Sequence, residues 1–282
     1  MLKIVECPRD AMQGIQRLIP TELKINYINA LLRAGFDTLD FGSFVSPQAV
    51  PQMADTHEVV AGLDMAGTST RLLAIVANMR GAEDACRYPV INYLGYPFSI
   101  SETFQIRNTR KTIAESLPLV HDLQQLTLDK GKELVVYISM AFGNPYGDAW
   151  NPDITAHWVE KIAQTGVKIL ALADTVGTAN SDSIYGLFDR LIPAFPEIEF
   201  GGHFHAHPQY QTEKLEAAWS AGCRRFDSAM MGFGGCPFAE DELVGNISTE
   251  SLIAFCETKG VNTAIHSVAF SKAAAIAQTV FG

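Results

Sequence analysis

Short apolar, β-branched runs alternate with longer stretches whose apolar residues recur at helical spacing, and the alternation continues along the whole chain. Side chains two apart share a face of a strand, whereas those three or four apart share a face of a helix. Strands are predicted at Leu2–Glu6, Phe36–Phe41, Leu72–Ala77, Val90–Leu94, Glu133–Ser139, Val167–Ala173 and Ile198–His203, with a short eighth at Arg225–Ser228. A helix is predicted from Thr21, read as its cap, to about Ala34, where Gly35 stops it. Others begin near Arg80, span about Lys111–Asp129, start at Asp153 or Thr155, follow a Ser181 cap, run to about Ala221, and start at Thr249. Ser46-Pro47 has the form of an N-cap and first helical position. The segment holding Ser101, Glu102 and Asn108 reads as a loop. An Ala-rich helix is predicted over about Ser267–Val280.

Such repeated strand–helix units, roughly 30 residues each, call for a parallel sheet. Eight of them, with no Gly-x-Gly-x-x-Gly fingerprint, favour an α/β fold of one kind: a single (β/α)8 TIM barrel with an additional C-terminal helix. The 282 residues suit the about 250 that such a barrel takes. No linker or composition break is visible, so one domain is expected over 1–282. The barrel would occupy about 2–260. The helix at about 267–280 would cover part of the barrel exterior or join a dimer face.

Composition narrows the function classes. No apolar run approaches the roughly 20 residues of a membrane span, and Lys3, Glu6, Arg9 and Asp10 interrupt any signal-peptide core. A net charge of -10, with no Lys/Arg run longer than Arg224-Arg225, argues against nucleic acid as a partner. The five cysteines are odd in number and lack Cys-x-x-Cys spacing, which fits a reducing cytoplasm.

Candidate chemistry gathers at the predicted strand ends, where a (β/α)8 barrel places its active site. His203 and His205, two apart on the seventh strand, aim two imidazoles into one space. Arg9 and Asp10 follow the first strand, Asp40 lies near the end of the second and Asp174 ends the sixth. Cys236 and Asn246 lie beyond the eighth. Barrel closure sets the eighth strand beside the first, so Asp10, the His pair and Asn246 become neighbours. One carboxylate, two imidazoles and one amide oxygen form a mixed N/O set for a divalent ion with positions left for a bidentate substrate. Structural alternatives stand beside these roles. Asp10 could cap a turn, Arg9 could pair with Asp40, and Asp174-Thr175 could cap the next segment. His207 falls beyond the strand because Pro208 breaks the run. His57, His121, His157 and His266 read as ordinary helix or tail residues. The run Gly232-Phe233-Gly234-Gly235-Cys236-Pro237-Phe238 is too short of Lys-Ser/Thr for a P-loop. It reads as a movable loop carrying a reactive thiol.

Several of these pieces occur together in a known family. Arg9-Asp10-x-x-Gln13, Ser43-Phe44-Val45-Ser46-Pro47, Val50-Pro51-Gln52-Met53, Asp174-Thr175-x-Gly177, His203-x-His205, Gly234-Gly235-Cys236-Pro237 and Gly245-Asn246 resemble hydroxymethylglutaryl-CoA lyase over about residues 3–258. That family belongs to the metallolyase barrels, with isopropylmalate synthase and the carboxyltransferase domain of pyruvate carboxylase. The resemblance implies an acyl-CoA substrate cleaved to acetyl-CoA and acetoacetate. It also implies Mg²⁺ or Mn²⁺ held by Asp10, His203, His205 and Asn246; the donor set alone would also accept Zn²⁺. Arg9 would stabilise a thioester enolate, Asp10 or His203 would be the base, Cys236 the catalytic thiol, and Asp40 would stand where the family has an active-site glutamate. A homodimer is expected. The chain departs from the family at Ala11, Asp40 and Ala206, and in a longer loop between Cys236 and Asn246. All lie near the mouth of the site and bear on which acyl-CoA it takes. Two other readings are a lyase or synthase for a related acyl-CoA or 2-oxo acid, and a non-catalytic barrel acting as a binding subunit. The intact donor set argues against the second.

Overall fold

In the computed structural model, which describes residues 2–235 and 244–282, the eight apolar runs become eight parallel strands. They are β1 Lys3–Glu6, β2 Thr38–Ser43, β3 Arg71–Ile75, β4 Ile91–Ser99, β5 Glu133–Ser139, β6 Ile169–Asp174, β7 Glu199–Phe204 and β8 Arg225–Ser228. Each pairs with the next. β1 also pairs with β8, from Lys3↔Arg225 to Glu6↔Ser228, and this closes the barrel. β2, β6 and β8 are buried at every position, as strands must be when helices cover one face and the lumen the other.

The connecting helices are α1 Pro8–Gln13, α2 Thr21–Leu32, α3 Thr56–Ala61, α4 Met79–Cys86, α5 Glu102–Thr109, α6 Ile113–Asp129, α7 Pro152–Ala163, α8 Ser181–Ala194, α9 Gln211–Ser220 and α10 Thr249–Thr258. α11, Ser267–Phe281, lies against α2 on the barrel exterior. Phe281 meets Tyr27 edge-on at 5.8 Å, and Arg17 Nη2 donates to the carbonyls of Thr279, Val280 and Gly282.

Several local expectations fail for physical reasons. The segment after β4 is helical, not a loop, because Ser101 Oγ accepts the Phe104 N–H and starts α5. β4 runs through Gly95 and Pro97 to Ser99. Its pairing to β3 ends at Gly95, so the missing N–H of Pro97 costs no ladder bond on that side. Thr21 does not cap α2: Pro20 precedes the helix, and Thr21 Oγ donates to Asp55 instead. Asn180, rather than Ser181, caps α8 in a reciprocal pair with Ser183. Ser46-Pro47 forms one closed turn that stops before Pro51.

Apolar packing falls into two bodies. The larger fills the space between the strands and the helices. The smaller comprises Leu73, Tyr93, Val135, Tyr137, Ile169 and Ala171, inward residues of β3 to β6 that fill the lumen.

Candidate active site

The lumen opens at the C-terminal ends of the strands into a cavity whose wall includes Arg9, Asp10, Tyr137, Thr175, His203 and His205. β7 delivers the two histidines. His203 lies opposite Asp227 of β8 in register, and its Nδ1 sits 3.1 Å from Asp227 Oδ2. His205 Nδ1 sits 2.8 Å from the Thr175 carbonyl. A carbonyl and a carboxylate only accept, so each Nδ1 carries the proton and each Nε2 is left with a lone pair. His205 Nε2 is buried and has no hydrogen-bond partner among the described residues.

α1 supplies the carboxylate. Pro8 begins this helix directly after β1, so Arg9 and Asp10 stand on its first turn and not on a free loop. Arg9 Nη1 and Gln13 Nε2 donate to Asp10 Oδ1 at 3.0 and 2.9 Å. The ligand atoms of Asp10, His203 and His205 all lie within 4.8 Å of one another. Asn246 arrives from the far side of the eighth connection, where a bridge between His205 and Asn246 lays its backbone along the end of β7. Its Nδ2 donates to Asp10 Oδ2 at 2.6 Å and to the Phe233 carbonyl at 2.9 Å. The amide therefore offers its nitrogen to the cluster, and Oδ1 reaches it only after a half-turn of the amide. The adjoining Gly234 has φ +110°, and a Cβ there would stand 2.3 Å from Asn246 Nδ2 and 3.0 Å from Asp10 Oδ2. Only glycine fits against the cluster at that position.

Arg9 and Asp40 form the ion pair weighed from the sequence. Nε lies 3.2 and 3.1 Å from the two Asp40 oxygens and Nη2 lies 2.5 Å from Oδ2. Nη1 also reaches Gln13 Oε1 at 2.8 Å. Four of the five N–H groups of a guanidinium are thereby engaged, which leaves one on Nη2. Burial pushes the Asp40 carboxyl up to about 6, against the pull of Arg9, and Asp10 and Asp227 add to the rise. Burial alone would also raise Asp10, but the Arg9 guanidinium outweighs it and holds Asp10 low. For His203 burial works downward, and the Asp227 bond and charge reverse it, so its basicity rises. His205 is lowered, by burial and then by His203, so it stays a neutral donor.

These features fit a divalent cation. Two buried carboxylates, Asp10 and Asp40, share the single guanidinium of Arg9, and two imidazole nitrogens converge beside them. The set keeps a net negative charge that a cation offsets, and its mixed N/O donors suit a divalent ion.

Not every predicted site residue joins the cluster. Asp174 pairs with Lys214 and accepts the Ala179 N–H at 3.1 Å, which is the capping role and not a ligand role. Lys214 also donates to the carbonyls of Gly177 and His205, tying α9 to the end of β7. Cys236 lies outside the described residues. Sequence reasoning missed Asp227, Tyr137 and Lys214. Asp227 alternates inward with Arg225 on a predicted strand, but only the register against β7 reveals its partner.

A (β/α)8 barrel with this donor set at its rim defines a class of enzyme, and comparison with known proteins specifies it. The HMGL-like family model matches residues 2–280. The hydroxymethylglutaryl-CoA lyase YngG of Bacillus subtilis is 32% identical over 91% of this chain and 85% of its own length. The (R)-citramalyl-CoA lyase of Chloroflexus aurantiacus is 31% identical over 92% of this chain and 84% of its own. A solved HMG-CoA lyase of Acinetobacter baumannii, in complex with coenzyme A and 3-methylmalate, superposes with a TM-score of 0.92. It is 30% identical, and the match covers 100% of this chain and 92% of that one. This chain belongs to the HMGL-like family and is a carbon–carbon lyase.

Proposed function

We propose that the chain is a divalent-metal-dependent lyase cleaving 3-hydroxy-3-methylglutaryl-CoA to acetyl-CoA and acetoacetate. The observation that carries this reading is the convergence of Asp10, His203 and His205 beside the fixed Arg9 guanidinium in one cavity. Asp10, His203, His205 and Asn246 would hold Mg²⁺ or Mn²⁺, and Zn²⁺ suits the same donors. When bound, the ion supplies Lewis-acid polarisation of the substrate's hydroxyl and carboxylate oxygens.

The chain's own residues account for the rest. Asp10 accepts the hydroxyl proton, since a His203 that is protonated at Nδ1 and holds the ion through Nε2 has no free nitrogen for it. The bond between the carbinol carbon and the thioester α-carbon then breaks, and its electron pair becomes the acetyl-CoA enolate. Arg9 meets that charge with its one free N–H, and Asp40 holds the guanidinium from swinging away. Cys236 is the proposed donor of the proton that completes acetyl-CoA. In this reading the protein is a single catalytic domain, cytoplasmic and homodimeric, acting in leucine breakdown or ketone-body formation.

A panel of 3-hydroxyacyl-CoA thioesters assayed with and without chelator tests this. Acetoacetate from the hydroxymethylglutaryl thioester, abolished by chelator and restored by Mn²⁺ or Mg²⁺, is expected. Undiminished turnover in chelator overturns the metal, and turnover of other thioesters alone overturns the substrate. A second reading, citramalyl-CoA, draws on the (R)-citramalyl-CoA lyase relative and on Asp40 and Ala206 at the rim. It predicts pyruvate in place of acetoacetate in the same assay.

A further inference from the structure

Below the cluster, the barrel lumen contains polar groups that no step above uses. Arg225 and Asp227 stand two apart on β8 and so point the same way, inward. Asp227 spends Oδ2 on His203, while its Oδ1 is buried without a hydrogen-bond partner among the described residues. Arg225 is 1% exposed; its Nη1 reaches Glu199 at 3.2 Å, and its Nε and Nη2 have no hydrogen-bond partner among the described residues. The Tyr137 ring meets His203 edge-on at 5.7 Å and walls the cavity, yet its hydroxyl is buried and also has no hydrogen-bond partner among the described residues.

Room has been made for this arrangement. Gly201 sits on β7 two residues before His203, on the same inward face. A Cβ on Gly201 would stand 3.0 Å from Arg225 Cδ and 3.2 Å from Cγ, so a side chain there would press on the arginine stem. A lumen filled with aliphatic side chains needs no such gap. Buried polar atoms are ordinarily paired, and a buried water takes two to four polar partners. Arg225 and Tyr137 supply donors, and Asp227 Oδ1 supplies the acceptor.

We propose that Asp227, backed through ordered water by Arg225 and the Tyr137 hydroxyl, is the positioning residue that fixes His203 as the Nδ1–H form with Nε2 presented to the cation. The last clause rests on the metal reading above; the orientation of His203 does not. A carboxylate behind a ligand imidazole sets its tautomer and ring plane, and losing it typically lowers metal affinity about 10- to 100-fold. His205 has a different support, the Thr175 carbonyl, and so serves as an internal control.

The test compares ¹⁵N imidazole spectra and Mn²⁺ titrations of the wild-type protein, Asp227→Asn and Arg225→Lys. The metal-free wild type is expected to show His203 protonated on Nδ1. In Asp227→Asn that signature is lost, the His205 signals stay in place, and Mn²⁺ binds about 10- to 100-fold more weakly. Arg225→Lys, which cannot span to the same partners, weakens Mn²⁺ binding in the same direction. A neutral wild-type His203 ring protonated on Nε2 and not on Nδ1 overturns the proposal even if Asp227→Asn fails to fold. Wild-type Mn²⁺ affinity in a folded Asp227→Asn also overturns it, and wild-type affinity in Arg225→Lys overturns the part given to Arg225. A wild type that binds no Mn²⁺ but keeps the Nδ1–H signature sinks the metal reading and supports the orientation of His203.

Discussion

Glu6, the last residue of β1, gives a sharp prediction about stability and pH. Its side chain is fully buried. One oxygen accepts the Met230 N–H at 2.8 Å; the other meets Thr249 Oγ, which in turn lies 3.0 Å from Ser228 Oγ. Glu6 thus ties β1 to both legs of the connection that carries Asn246. Burial pushes its carboxyl up to about 8 from 4.5, against those two hydrogen bonds. The folded protein therefore holds a proton on Glu6 that the unfolded chain releases above pH 4.5. Because the native state binds more protons in that window, stability falls as pH rises from about 4.5 to about 8. The slope for one proton is at most about 1.4 kcal/mol per pH unit, so the window carries on the order of 4–5 kcal/mol. Glu6→Gln keeps the size and a donor toward Thr249 while removing the titration. Urea unfolding of both proteins at several pH values between about 5 and about 8 isolates Glu6, because other groups cancel in the difference. The variant should gain on the wild type steadily as pH rises. A difference that stays flat across the window would refute the buried neutral carboxyl.

Three further outcomes follow from the site. Arg9→Lys cannot reproduce the fork onto Asp40 and should lower kcat by about 10²- to 10³-fold with little change in KM, read by steady-state assay. Gly234→Ala puts a methyl where Asn246 Nδ2 stands and forces a strained φ. Metal titration should show weakened binding while circular dichroism stays native. Lys214→Met strands the buried Asp174 carboxylate and should cost about 3–5 kcal/mol in denaturant unfolding.

How much was legible in the sequence depended on whether the signal was local. β5 is found at Glu133–Ser139 as predicted, because its β-branched run is bounded by Gly131 and followed by a turn. The sequence reading ends β4 at Leu94, and only the pairing with the neighbouring strands shows that it continues through Gly95 and Pro97 to Ser99. His203 and His205 were legible from their period of two, and Asp10 from its place after β1. Asp227 and Lys214 were not. Their importance lies in cross-strand register and in the reach of α9 to the end of β7, neither of which leaves a mark in local spacing. The Arg9–Asp40 pair could be named but not chosen over its alternative until distances decided it.

The claim that matters most is that Asp10, His203, His205 and Asn246 grip one cation. Mn²⁺ titration of the chelator-stripped protein, followed by electron paramagnetic resonance, measures this directly. The account predicts one tight Mn²⁺ per chain in the wild type and none in Asp10→Asn or His205→Ala. Equal binding by the wild type and both variants would contradict it.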